Sequence, residues 1–302
     1  MQKTNTAKFQ MIGAMAIFGT IGIFKKFIVS VPSGMVALTR GAVGALFLLA
    51  VCLIGKRKIS ISSIKKNLLP LILSGMFIGL NWVLLFEGFE YTTVPTATLC
   101  YYMAPLFVVL ASPIVLKERL TIKKGLCVLV ALLGMVFVSG IIQSGVPSSN
   151  DLLGILCSLG AAVLYATVIL FNTKIKEISP YDKTIVQLAA AAVVMIPYCL
   201  LVEGNEPIVL SATNLILLAI VGIVHTGMSY ALYFGAMGKL PAQTTAIFSY
   251  IDPIVAIVLS TCILREPFDI YSVIGAVLIL GAAFVSEVPF SKRNNEDNEN
   301  AV

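Results

Sequence analysis

Residues 96–118 read TATLCYYMAPLFVVLASPIVLKE, and residues 244–266 read TTAIFSYIDPIVAIVLSTCILRE. At a constant offset of 148, Thr96 falls on Thr244, Tyr102 on Tyr250, Pro105 on Pro253 and Glu118 on Glu266, and the register runs without a gap over 79–122 and 227–270. Apolar coincidences such as Leu84 with Leu232 carry little weight in so apolar a chain. A Tyr, then a Pro, then a Glu at matched spacing carries more. The chain reads as one unit written twice, a pattern that in membrane proteins accompanies transport.

Of the 302 residues, 58% are hydrophobic and 12% charged, with a mean hydropathy of +0.97. Soluble domains use roughly 45–50% apolar and about 25% charged residues. The fold class expected is therefore an all-α membrane protein. A helix needs about 17–25 residues to cross a bilayer core of about 30 Å, and ten such helices are predicted, near 9–30, 33–55, 67–90, 93–116, 125–142, 152–172, 184–203, 212–237, 240–264 and 270–287. Lys25 and Lys26 interrupt the first, so its end is predicted to snorkel or face water.

Most of the 21 Lys and Arg residues collect in alternate loops, around Lys56 to Lys66, Lys117 to Lys124 and Lys174 to Lys183. Because cations in short loops stay on the cytoplasmic side, both termini are predicted cytoplasmic and the protein is placed as a multi-pass protein of the plasma membrane. The +6 net charge reflects this bias, and no nucleic-acid partner is expected. The six cysteines show no Cys-x-x-Cys pair and read as apolar fillers, so neither disulfides, a metal site nor a cofactor is expected. Residues 291–302, rich in Asn and Glu, read as a disordered cytoplasmic tail.

The polar stretch 143–151 suits an outer linker. It separates a first five-helix repeat, 9–142, from a second, 152–287. Five is odd, so the second copy enters from the opposite face and the repeats are inverted. In such proteins the substrate site lies near the midplane, between the halves.

Several strings resemble the drug/metabolite transporter superfamily and, within it, the EamA-type exporters: Leu80-Asn81-Trp82 with Phe86, Tyr91 and Thr92; Ala104-Pro105; Leu116-Lys117-Glu118-Arg119-Leu120; Ser249-Tyr250-Ile251-Asp252-Pro253; and Leu264-Arg265-Glu266-Pro267. The likeness covers nearly the whole chain, and Arg40 resembles the arginine often found early in the second helix of that family. Two departures stand out: Arg265-Glu266-Pro267 replaces the usual Gly-Glu-Arg, and Asp252 occupies a place often held by Glu. The resemblance implies export of small metabolites, often amino acids.

Asp252 is predicted halfway along a membrane helix, where a charge costs roughly 2.5–3.5 kcal/mol and is usually retained for function or pairing. Pro253 also deprives the Ser249 carbonyl of its helical donor. Asp252 reads as a proton-coupling or ammonium-binding carboxylate, or as an acid paired for packing. Arg40 reads equally as a substrate contact, a snorkelling or capping arginine, or a partner of Asp252. Pro105 and Pro253 are hinge candidates, the alternative being packing kinks inherited by duplication. Asn81, Trp82, Tyr101, Tyr102, Ser229, Tyr230 and Tyr250 are candidates for lining a small-molecule pocket. His225, the single histidine, joins them as a titratable candidate, with helix packing as the readier account. Glu87 and Glu90 read as a solvated mouth, Gly75-x-x-x-Gly79 as a packing device, and Glu118 and Glu266 as helix-end acids paired with Lys117, Arg119 or Arg265.

A transporter of a small zwitterionic molecule, with the proton as candidate coupling ion, is the first expectation. A membrane-embedded enzyme is the alternative, yet no His-Glu-x-x-His string or nucleophile elbow occurs and no catalytic residue is named. A non-transporting scaffold or receptor would leave the repeat unexplained.

Overall fold

The computed structural model describes residues 2–117, 121–139, 141–144, 147–204, 208–236, 239–240 and 248–287. Glu118, Arg119 and the tail 291–302 lie outside these residues. Among them the chain is all-helical, without a strand. Among the described residues, seven helices are long and apolar enough to cross a membrane: Asn5–Phe27, Ser33–Ile54, Leu68–Tyr91, Val94–Val115, Ser149–Lys174, Pro180–Leu201 and Ala212–Ala236. Shorter apolar helices include Ile122–Val138, Ile251–Leu264 and Ile270–Glu287.

The first span consists of α1 (Gln2–Gly19) and α2 (Ile21–Phe27), joined through Thr20. Next come α3 (Ser33–Ile54), the short α4 (Ile61–Lys66) and α5 (Leu68–Tyr91). The fourth span is split into α6 (Val94–Tyr101) and α7 (Ala104–Val115), followed by α8 (Ile122–Val138) and α9 (Ile141–Ser144). Beyond lie α10 (Ser149–Lys174), α11 (Pro180–Leu201) and α12 (Ala212–Gly222), the last widening into a π-helical turn, Ile223–Met228, before α13 (Ser229–Ala236). Then α14 (Ile251–Leu259) passes into a second π-helical turn, Ser260–Leu264, and α15 (Ile270–Glu287) closes the bundle.

Helix entries follow a local rule. Thr93, Thr121, Ser148, Ser179 and Ser211 each accept a hydrogen bond from the backbone N–H three residues on, satisfying a donor that the helix itself leaves without a partner. Ser148 caps α10, which begins at Ser149, inside the stretch expected as linker. Large apolar side chains such as Ile54, Ile114, Ile122 and Leu201 stay exposed on the outside, as lipid-facing positions do. An apolar groove of about 580 Å³ between α8 and α15 is lined by Leu126, Val130, Val277 and Leu278 and by none of the candidate site residues.

The packing repeats at the same offset as the sequence. α5 packs on α10, the first helix of the second half, and its equivalents α12 and α13, with the π-turn between them, lie against α3 and α1 in the first. α3 packs on α11 and α8 on α15, each pair joining equivalent spans of the two halves. The halves are thus interlocked by exchange of neighbours, and small residues permit the close approaches. A Cβ at Gly75 would lie 2.5 Å from the Gln187 carbonyl oxygen and 2.7 Å from Ala190 Cβ, so Gly75-x-x-x-Gly79 serves the α5–α11 contact. Gly75→Val is expected to destabilise the bundle by about 1–3 kcal/mol through overpacking, read as a lowered Tm in detergent. Gly281→Ala, with open space around the position, is the control expected to leave Tm unchanged.

Candidate functional site

Pro105 has no N–H and its ring displaces the carbonyl four residues back, so the helix cannot run through. Accordingly α6 stops at Tyr101, Tyr102 and Met103 form a turn, and Pro105 lies in the first turn of α7. The second copy behaves alike: Tyr250 is a turn residue, and Asp252 and Pro253 lie in the first turn of α14. These two breaks meet. The rings of Tyr102 and Tyr250 are 6.3 Å apart, and the Tyr102 hydroxyl donates to the Ser249 carbonyl at 3.2 Å. That oxygen is the one Pro253 leaves without its helical donor, and the donor comes from the other repeat. The Tyr102 hydroxyl also stands beside the Asp252 carboxyl, which occupies the electropositive end of α14.

Around this junction lies an aromatic wall. Tyr101 packs 6.4 Å from Tyr102 and 5.5 Å from Tyr165, Tyr250 packs 5.7 Å from Phe284, and Tyr230 lies 5.3 Å from Phe18. Tyr101, Tyr102, Tyr230, Tyr250 and Asp252 all retain part of their surface although they sit mid-bundle, so open space reaches them. α1 passes closely on one side, where a Cβ at Gly19 would meet the Asp252 carbonyl oxygen and Val255.

Arg40 approaches the same space from α3. It does not snorkel: only 6% of its surface is exposed. Its guanidinium carbon lies 4.0 Å from the centre of the Trp82 ring and 5.9 Å from that of Phe86, while Nε donates to Thr226 Oγ1 at 3.0 Å. Tyr101, Tyr230 and Asp252 are near enough to act on its charge. Even so, no ion pair joins Arg40 to Asp252 among the described residues; the ion pairs there are Lys25–Glu90, Lys26–Glu266 and Lys66–Glu177. Glycines explain how Arg40 is held: a Cβ at Gly44, one turn further along α3, would fall 2.5 Å from Thr226 Cγ2, so its absence lets the π-helical turn press against α3.

The π-helical turn redirects other candidates away from the open space. Its hydrogen bonds span five residues, and three side chains reach back over the same distance: His225 Nδ1 to the Ile220 carbonyl at 3.4 Å, Thr226 Oγ1 to Val221 at 3.0 Å and Ser229 Oγ to Val224 at 2.9 Å. His225 is buried, with Nε2 2.7 Å from Thr20 Oγ1 and its ring edge-on to Phe24 at 4.6 Å. Asn81 is buried too, donating to the Ala161 carbonyl at 2.5 Å and facing the Tyr101 hydroxyl at 3.4 Å. These three hold helices together. Arg40, Trp82, Tyr101, Tyr102, Tyr230, Tyr250 and Asp252 gather around the space, joined by Phe18 and Tyr165, while the buried Thr226 holds Arg40 from behind; sequence reasoning passed over these last three. Thr226 had a signal: at the 148 offset it faces Ile78, a break in the repeat like that between His225 and Phe77.

Polar side chains at the Thr92 end of the bundle depart from expectation. Lys25, predicted to snorkel or face water, is only 2% exposed and pairs with Glu90, which is therefore more than part of a solvated mouth. Burial removes water from the ammonium, and the acid at the end of α5 replaces it. Glu266 does not rely on Arg265. Its carboxylate lies 3.6 Å from Lys26 Nζ, accepts from the Val94 N–H at 2.8 Å and takes the Ser260 hydroxyl. Lys26 also donates to the Thr92 carbonyl at 3.3 Å, and Thr92 Oγ1 meets Asp151 at 3.3 Å. This network links the two halves at one end.

With this geometry in hand, the comparisons with known proteins are consistent with it. The model of the EamA-like transporter family matches twice, over residues 6–140 and 152–287. A Bacillus subtilis protein called "Uncharacterized transporter YxxF" is 31% identical over 280 residues, covering 92% of this chain and 88% of its own. An "Uncharacterized transporter" of Archaeoglobus fulgidus is 26% identical over 256 residues, covering 83% and 87%. One solved crystal structure aligns over 93% of this chain and 95% of its own with a TM-score of 0.63, and at 19% identity it is a likeness of fold alone.

Proposed function

The chain belongs to the EamA-like transporter family, and on that premise we propose that it exports a small zwitterionic metabolite, of the amino-acid class, as a secondary transporter. In this reading two inverted five-helix repeats alternate access to the space between them, both termini are cytoplasmic and the membrane is the plasma membrane. The observation that carries it is the junction of the two broken helices, where Tyr102 of one repeat donates to the carbonyl freed by Pro253 of the other, beside an acid and within reach of an arginine. Pro105 and Pro253 are the hinges of this junction.

The charges in the space support the substrate class. Arg40 and Asp252 offer one cation and one anion among tyrosines, which balances a ligand carrying one of each. A phosphorylated sugar would bring two negative charges to a single guanidinium and set them against Asp252. Asp252 also serves as the proton carrier, exchanging its proton for the substrate ammonium. The pairs Lys26–Glu266 and Lys25–Glu90 hold the Thr92 end together, and opening at that end requires them to separate.

Proteoliposomes loaded with labelled amino acids, sugar phosphates and polyamines test the assignment. Amino acids are expected to move and to depend on a pH gradient. Movement of sugar phosphates in the absence of amino-acid movement would overturn it.

A further inference from the structure

The guanidinium of Arg40 is built as a receptor. It is nine-tenths buried, its plane is held by Trp82 at 4.0 Å, and its Nε is committed to Thr226. Among the described residues this is its one hydrogen bond. Guanidinium carries five N–H donors in a fixed fork, so the four on Nη1 and Nη2 remain for something else. A buried charge is ordinarily paired, and here the nearby acid forms no ion pair with it. Thr226 is itself fixed by donating to the Val221 carbonyl at 3.0 Å, so its lone pair is aimed at Nε. Stack, tether and buried backbone together set the direction of the fork before any ligand arrives.

From this we infer that Arg40 binds the carboxylate of the transported molecule through its two Nη atoms, with Trp82 and Thr226 as positioning residues; this rests on the proposed zwitterion transport and names the group recognised. A planar, singly charged oxyanion matches the two parallel N–H donors of the fork. A tetrahedral dianion would leave one charge without a partner in an aromatic surround. The ammonium of the same ligand then faces Asp252 and the tyrosine rings. Lysine could not replace Arg40, because a point charge neither stacks on Trp82 nor offers the bidentate edge.

Trp82 is the chain's one tryptophan, so its fluorescence reports directly on the stacked guanidinium. The purified full chain in lipid nanodiscs would be titrated with leucine, leucinamide, isopentylamine, 4-methylpentanoate and inorganic phosphate. Leucine and 4-methylpentanoate are expected to change the emission saturably, while leucinamide, isopentylamine and phosphate do not. Arg40→Lys should weaken leucine binding about tenfold or more; Thr226→Val should weaken it while Thr226→Ser retains it, which a merely structural role for the hydroxyl would not separate from folding. Equal responses to leucine and leucinamide, a response to phosphate, or no saturable change with either carboxylate would overturn the inference. Carboxylate binding with no amino-acid transport in proteoliposomes would leave the receptor standing and remove the transport reading instead.

Discussion

Asp252→Asn is expected to reduce proton-driven amino-acid uptake into proteoliposomes by at least ~30-fold, the consequence of losing one partner of a desolvated charge pair at a cost of about 2–5 kcal/mol with 1.4 kcal/mol to each tenfold. The substitution preserves the side chain's size, so the Gly19 contact with the Asp252 backbone and the neighbouring Tyr102 hydroxyl are retained. What it removes is the anion. Asp252→Glu keeps that charge in a side chain one methylene longer, and measurable uptake should remain. Exchange of internal for external substrate without a proton gradient divides the two roles of the acid. If Asp252 carries the proton alone, exchange survives in Asp252→Asn while net uptake fails; if it also holds the ammonium, both fail. Wild-type uptake with an unchanged KM in Asp252→Asn would dismiss both roles.

The second large effect is at Glu266, where one carboxylate serves three partners from both halves. Glu266→Ala removes the acceptor of the Val94 N–H at the entry to α6, the acceptor of the Ser260 hydroxyl and the counter-charge of Lys26. Lost caps cost about 0.5–2 kcal/mol and a stranded polar partner about 1–3 kcal/mol, so a destabilisation of about 2–4 kcal/mol is expected. Lys26→Met removes the ion pair alone. With the lysine side chain 24% exposed and the charges 3.6 Å apart, that should cost under about 1 kcal/mol. Glu266→Gln keeps an acceptor oxygen and should resemble Lys26→Met. Thermal unfolding of the three variants in one detergent decides the matter: if Lys26→Met proved as damaging as Glu266→Ala, the ion pair would outweigh the capping. Uptake by Glu266→Ala should also fall, because the network joins the halves at one end of the bundle.

Where chemistry is local, the sequence was readable. Proline's missing N–H and bulky ring act on the four preceding residues, so the breaks at Tyr102 and Tyr250 and the loss of a helical donor to the Ser249 carbonyl could be foreseen. Its donor could not, because Tyr102 lies across the repeat boundary. Lys25 was misread for the same reason: its burial depends on Glu90, a contact between spans. Packing was already the readier account of His225, whereas the role of Ser229 escaped because hydropathy records which residues are apolar and says nothing of whether a helix bonds over four residues or five. Asn81 looked like a pocket group, and its amide is occupied by the Ala161 carbonyl. Arg40 and Asp252 were both singled out; their proximity without an ion pair required coordinates.

The interlocking of the halves sets an order on biosynthesis. α5 finds its main neighbour only when α10 has been made, about 80 residues later, which at about 5–20 residues per second is a delay of roughly 4–16 s. α1 waits longer, since its partners α13 and α14 are encoded near the far end of the chain. Made before every span it meets, α1 is thus among the last to reach its final neighbours, and until then its face at Gly19 is open to other occupants of the membrane.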